Sequence, residues 1–424
     1  MNQSHLLAGV LSVDGVPLLE GVSDELSLES APRGAFLLAR RQAPSARFRS
    51  GLGRPRGLSR FVASYRYQPY WMKPRVGTRV SDIPRDTQLL LLELESGKVA
   101  LFAPLALAPF RASLEGKGDE LLAIVDSGDP ATLGSEALLL YVAVGDDPYA
   151  LAREGAALVA KRLGTVRLRR DKTLPAFADD FGWCTWDAFY QEVSHDKVQE
   201  GLRSFRAGGV EPRVVILDDG WQSVQSAVTG EKRLTAFAAN DKFPGGLSLT
   251  VRLAKDEYGV RTFLVWHAVH GYWGGIDAEA LPDYGVETAL RWYSPEVLSH
   301  APDLNCDWWG SCVGRPSPAG LARLYDDYHR YLGTQGVDGV KVDNQASVEG
   351  LGHGLGGRVS YMQEHRHALE SSVRRHFAGR LINCMSCSSE MIYQAMDSSL
   401  TRSSTDFWPK IASSHGEHVY TNAM

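Results

Sequence analysis

Cysteine is scarce in this chain of 424 residues: Cys184, Cys306, Cys312, Cys384 and Cys387 make an odd number, far too few for a disulfide framework. That scarcity excludes the small stapled domains and points to reduced thiols. No apolar run approaches the ~20 residues needed to span a bilayer, and the opening Met1-Asn2-Gln3-Ser4-His5-Leu6-Leu7 has no basic stretch leading into an apolar one. The expectation is a cytoplasmic protein with no membrane partner. An excess of positive charge is also missing, since 45 Lys and Arg stand against 50 Asp and Glu, for a net charge of −5. This leaves no electrostatic footprint for nucleic acid, and a small, neutral, polar ligand fits better. The chain further lacks HExxH or a comparable histidine spacing, a second CxxC to accompany Cys384-Met385-Ser386-Cys387, and a glycine-rich loop opening a helix. No metal is therefore expected.

What is present changes texture near residue 175. Before it, short apolar segments at 35–39, 88–94, 99–103 and 137–143 are separated by Gly, Pro and Asp clusters, the pattern of a β-sandwich. Residues 147–163 read as a helix, and 169–175 as a linker. Residues 1–175 are thus expected to form an N-terminal β-sandwich domain with a connector helix, and 176–424 a second domain. In the second, short apolar strands alternate with amphipathic helices: Val198, Leu202 and Phe205 share one helical face, and Leu321, Leu324, Tyr325, Tyr328 and Leu332 another. Strands are expected at 181–186, 214–218, 262–267, 337–343, 381–386 and 400–406. Polar or aromatic residues gather at the C-terminal end of each, where a (β/α)8 TIM-type barrel carries its site. Six strands are accounted for by Asp406, so the barrel is expected to be incomplete at its C-terminus and the chain to be a fragment of a longer protein or the product of a truncated reading frame.

The strand ends carry the chemistry. In Gly339-Val340-Lys341-Val342-Asp343, residues two apart share a face, so Lys341 and Asp343 point one way and the valines the other. An ion pair at the end of a buried strand is costly unless a site uses it. Asp218-Asp219-Gly220-Trp221 ends another apolar strand with paired carboxylates that can grip hydroxyls, while Trp221 can cover an apolar ring face; a helix-capping turn is the structural alternative. Trp183 and Trp186 read either as core or as a carbohydrate platform. Arg402-Ser403-Ser404-Thr405-Asp406 brings a second acid with a cation four residues before it. One such motif could be a cap or a surface salt bridge, whereas four strand ends offering acids, bases or aromatics are hard to assign to capping. Two carboxylates facing one cavity can cleave a glycosidic bond, Asp343 attacking the anomeric carbon and Asp406 protonating the departing oxygen. His267 and His270 read as packing or pocket-lining residues. Cys306 and Cys312, flanking 307–311, could pair only in an oxidising compartment, for which nothing in the chain argues.

These residues resemble the raffinose synthase and seed imbibition protein group of glycoside hydrolase family 36, which includes plant alkaline α-galactosidases and has bacterial members. The resemblance runs through Tyr65-Arg66-Tyr67-Gln68-Pro69-Tyr70-Trp71, Gly182-Trp183-Cys184-Thr185-Trp186-Asp187, Asp218-Asp219-Gly220-Trp221, Lys341-Val342-Asp343, Asn383-Cys384-Met385-Ser386 and Arg402 to Pro409. It implies an N-terminal β-sandwich, a catalytic (β/α)8 barrel, a C-terminal β-domain, and retaining transfer of an α-galactosyl group from a small galactoside or oligosaccharide through a covalent intermediate, with no cofactor. It puts the nucleophile on Asp343 and the acid/base on Asp406. Sugar-binding positions fall on Asp218, Asp219, Lys341, Cys384 and Arg402, with Trp183 and Trp186 as first-strand aromatics. The chain departs from plant relatives at Thr405, where they carry an acid, and at Cys387, where they carry His. A non-catalytic or degenerate carbohydrate-binding fragment is the competing expectation.

Overall fold

The computed structural model describes residues 4–306 and 312–423, without the side chains of 305 and 306. The expectation about Cys306 and Cys312 therefore lies outside the described residues. Fourteen strands between His5 and Gly145 form one antiparallel sheet that bends over its own core. The strand Ala35–Ser45 shows why both faces of this sheet are apolar. Ala35, Leu37 and Ala39 enter the enclosed core beside Phe48, Leu90, Phe102, Leu114 and Leu139, whereas Phe36 and Leu38 face the other way. There they meet the helix α1 (Pro148–Leu163), whose Leu151, Val159 and Leu163 are buried. The ends of α1 follow from its sequence: Asp147 accepts the Tyr149 N–H, Pro148 sits where its missing N–H costs nothing, and Gly164 turns out at φ 69°.

Six parallel strands follow, paired in chain order. They are β1 (Gly182–Cys184), β2 (Val214–Leu217), β3 (Thr262–Ala268), β4 (Gly339–Asp343), β5 (Leu381–Asn383) and β6 (Leu400–Thr401). All six coincide with expected strands, and β1 and β6 are the two ends of the sheet among the described residues. Crossover helices include α2 (His195–Ala207), α3 (Pro318–Thr334) and α4 (Gly357–Phe377). The apolar faces read from the sequence are the packed ones: Val198 and Leu202 of α2, and Leu321, Leu324, Tyr325, Tyr328 and Leu332 of α3, are buried. One boundary differs in a way that matters. The last strand ends at Thr401, not 406: Arg402 still donates its N–H to the Asn383 carbonyl, and the chain then leaves the sheet, so Asp406 rides on a loop.

The two sheets meet where the antiparallel hairpin of Leu58–Gln68 and Trp71–Gly77 reaches the barrel. Tyr70 of its turn and Trp71, the first residue of its second strand, are buried in the same cluster as Val340, Val342 and Trp266. No helix among the described residues is long and apolar enough to cross a membrane.

Candidate active site

A cavity of about 340 Å3 opens at the C-terminal ends of the barrel strands, lined by Asp218, Asp219, Lys341, Asp343, Arg402 and Asp406 among an aromatic wall. The register explains the gathering. Trp266 pairs with Lys341 and Ala268 with Asp343 across β3 and β4, so the i, i+2 faces of neighbouring strands converge. Both Asp343 oxygens are fixed: Oδ2 accepts the Trp266 indole N–H at 2.9 Å and Oδ1 the Asn344 backbone N–H at 2.8 Å. Asn344 takes a left-handed conformation, φ 58°, which ends the strand directly after the acid.

Lys341 donates to Asp218 Oδ2 at 2.6 Å, and the Cys184 thiol donates to the same oxygen at 3.2 Å. Burial works against the ammonium, but Asp218, with smaller help from Cys184, Cys384 and Asp343, holds Lys341 well above the usual lysine range. It is a permanent cation in the cavity. Asp219 accepts from Trp273 Nε1 at 3.0 Å and Gln191 Nε2 at 2.9 Å, both on Oδ2, and the Tyr272 hydroxyl is a further donor beside this carboxylate. Its Oδ1 is buried with no hydrogen-bond partner among the described residues, and burial raises this carboxyl above its ordinary value despite those donors. Arg402 bonds Asp406, lies with its guanidinium 5.3 Å from the Trp71 ring centre, and reaches the Cys384 sulfur at 3.8 Å. Burial, then the negative charge of Asp343, pushes the Cys384 thiol well up, so it acts as a neutral wall beneath the acids.

Of the ten residues singled out from the sequence, Trp186, Asp218, Asp219, Lys341, Asp343, Arg402 and Asp406 line the cavity, and Cys384 touches two of them from behind. Two tryptophans are placed elsewhere. Trp183, the strand neighbour of Cys184, points to the opposite side of β1, where its ring meets Phe189 and Phe205 of the α2 layer. Trp221 is fully buried, with its indole N–H on the Trp266 carbonyl at 2.8 Å. The turn at Gly220, φ 118°, sends it into the core instead of over the cavity. Neither can cover a ligand ring. His267 and His270 pack behind β3, the former 3.2 Å from His329 and the latter edge-on to His365. Among the described residues no group of three or more His, Cys, Asp or Glu is placed to hold a metal.

Sequence reasoning missed the rest of the wall: Gln68, Tyr70, Trp71, Trp266, Trp273, Met385 and Trp408. Trp266 had a signal, lying on an expected strand near its C-terminal end. Tyr70 and Trp71 lie in a stretch that carries the resemblance, but no periodicity placed them at the site, because only the docking of the two sheets carries them to the strand ends.

Acids and a buried cation at the mouth of a parallel α/β barrel, faced by aromatics, define the architecture of barrel glycosidases. The backbone agrees: the structure superposes on a family 36 α-galactosidase from Geobacillus stearothermophilus, solved in complex with stachyose, with a TM-score of 0.58 over 98% of this chain and 60% of that one, at 14% identity. At that identity the likeness shows the fold. Residues 16–423 match the family model described as raffinose synthase or seed imbibition protein Sip1, and the chain belongs to that family. A probable galactinol–sucrose galactosyltransferase 6 of Arabidopsis thaliana is 35% identical over 97% of this chain and 60% of its own length. The galactinol–sucrose galactosyltransferase of Oryza sativa subsp. japonica is 34% identical over 94% and 57%. The chain thus spans somewhat over half the length of these curated relatives.

Proposed function

We propose that the protein transfers α-galactosyl groups from raffinose-type or related galactosides, to water or to a sugar hydroxyl, by double displacement with retention. Asp343 forms a bond to the anomeric carbon as the glycosidic C–O bond breaks, and Asp406 gives its proton to the departing oxygen. In the second half, Asp406 takes a proton from the incoming hydroxyl, whose oxygen displaces Asp343. As substrate enters, the Arg402 guanidinium turns from Asp406 toward the sugar, freeing that acid. Lys341, Asp218 and the unpartnered Asp219 Oδ1 bind hydroxyls, and Trp186 with Trp266 and Trp273 faces the ring. The observation that carries this reading is that Asp343 and Asp406 line one aromatic-walled cavity, with Asp343 oriented by two donors. The relatives named above, galactosyltransferases acting between galactinol and sucrose by their names, supply the sugar class. A cytoplasmic setting suits the free Cys184, Cys312, Cys384 and Cys387.

The test is turnover of an aryl α-galactoside, of raffinose, and of galactinol with sucrose, with the first-formed anomer followed by NMR. The expected result is an α-configured product, abolished in Asp343→Asn with the unfolding midpoint held. A β-configured first product, or full activity in Asp343→Asn, would sink the mechanism. Saturable galactoside binding without turnover would leave a carbohydrate-binding protein in its place.

A further inference from the structure

Away from the cavity, the most heavily charged buried region is the seam between the two sheets. Arg66 lies on the hairpin strand Leu58–Gln68 and is fully buried. Its two terminal nitrogens each meet one oxygen of Glu349 at 2.8 Å, and its Nε meets Asp86 at 3.2 Å. Asp86 also binds Arg111 at 2.9 Å, and Arg111 lies 3.3 Å from Glu390. Arg358 completes the lattice, 3.0 Å from Asp126 and 3.6 Å from Glu349. Burial raises Glu349, but Arg66, then Arg358 and Arg111, outweigh it and hold this carboxyl at about 2. The Arg66–Glu349 pair is thus an ion pair with both partners buried.

Burying that many ions to join two domains gives little net stability over apolar packing. What a forked guanidinium–carboxylate pair supplies instead is a single geometry. The seam's barrel-side carboxylates sit on two loops. Glu349 lies in the buried turn Gln345–Leu351 that begins two residues after Asp343, and Glu390 lies three residues after Cys387. The neutral ties land on the same loop after β5: Gln88 accepts the Ser389 N–H at 2.7 Å, and the Tyr70 carbonyl accepts the Cys387 N–H at 3.2 Å. On the other side, the strand of Arg66 runs on to Gln68, Tyr70 and Trp71 in the cavity wall. One guanidinium therefore connects the aromatic wall on the antiparallel sheet to the turn that follows the Asp343 end of β4.

We infer that the Arg66–Glu349 pair is a positioning device that sets Asp343 and its loop against the wall at Tyr70 and Trp71. Its catalytic consequence rests on the function proposed above; its mechanical consequence does not. Two conservative variants test it, Arg66→Lys, which keeps the charge without the fork, and Glu349→Asp, which keeps the charge one methylene short. The second serves where the first fails to fold. In either, hydrogen exchange at 344–351 should quicken about tenfold while exchange in β3 stays as in wild type. With an aryl α-galactoside, kcat per titrated active site should fall about tenfold to a hundredfold with KM within about threefold, the cost expected of a small misplacement. A merely structural role would lower the unfolding midpoint and the number of active sites, not kcat per site. Unchanged exchange at 344–351 overturns the clamp, and quickened exchange with unchanged kcat overturns its catalytic consequence. A wild-type protein inactive on every α-galactoside would remove the proposed reaction, and the exchange comparison would still decide the clamp.

Discussion

Asp219 keeps one oxygen bonded by Trp273 and Gln191 and the other buried without a partner among the described residues. Leaving a carboxylate oxygen unsatisfied is expensive, and a ligand hydroxyl donating to it recovers that cost on binding. Asp219→Asn should therefore raise KM for an α-galactoside about tenfold to a hundredfold, the worth of a hydrogen bond to a charged group. Steady-state kinetics beside a thermal melt would check it, and an unchanged KM would put the sugar elsewhere. Lys341 poses a different question, because its partner Asp218 is as buried as itself. Lys341→Met leaves that carboxylate without its cation, at a cost of about 3–5 kcal/mol, whereas adding Asp218→Asn should return much of it. A chemical melt of both variants reads the difference, and a double mutant no more stable than the single one would contradict the pairing. Period-two spacing was enough to set Lys341 beside Asp343. It could not show that Lys341 pairs with Asp218 from a different strand, 123 positions away.

Along β1 the legibility of the sequence has a sharp edge. Apolar runs and helical periodicity gave all six parallel strands: the inner β3 and β4 are buried on both faces and read as mainly apolar segments, whereas β1 and β6 at the sheet ends are short and partly exposed. They did not say which way a given tryptophan points. Trp183 turned out to fill the space between β1 and α2, and the residue that makes room for it is Gly201 in the middle of that helix. A Cβ at 201 would come within 2.3 Å of the Trp183 ring. Two effects compete in Gly201→Ala: helix propensity favours Ala by about 1 kcal/mol, and overpacking costs about 1–3 kcal/mol. Because the neighbour is a bulky ring held by Phe189 and Phe205, overpacking should win and stability should fall. Shrinking the ring with Trp183→Leu in the Gly201→Ala background should recover part of the loss with KM unaltered. A rise in KM caused by Trp183→Leu alone would return this residue to the ligand-binding surface.

At the scale of the molecule, the antiparallel sheet's share in the cavity is what sequence could least supply, because a seam between sheets leaves no periodicity. The same seam and the layer behind β3 also hold titratable groups far from water, and these govern how the fold responds to acid. Burial depresses His267 to about 4 and His365 to about 3, and depresses His270 and His329 well below the ordinary 6.5. All four are neutral in the folded protein at pH 6, while the unfolded chain begins to protonate them below 6.5. The unfolded state thus binds more protons, so the stability these histidines contribute is complete above pH 6.5 and is lost as pH falls toward 4. Glu349, held at about 2, acts in the same direction at lower pH, and the raised Asp219 and Glu390 act in the opposite one. Asp187 is raised too, and the window of these three carboxyls opens just above the ordinary carboxyl range and runs into the same pH span, where they are outnumbered by the four histidines. Each contributes up to about 1.4 kcal/mol per pH unit. The unfolding midpoint should therefore drop between pH 7 and 5, and His365→Gln, which removes one of these proton acceptors from the unfolded chain, should make the drop shallower by about one proton's worth. A slope identical in wild type and His365→Gln would show that this histidine is not held neutral in the fold.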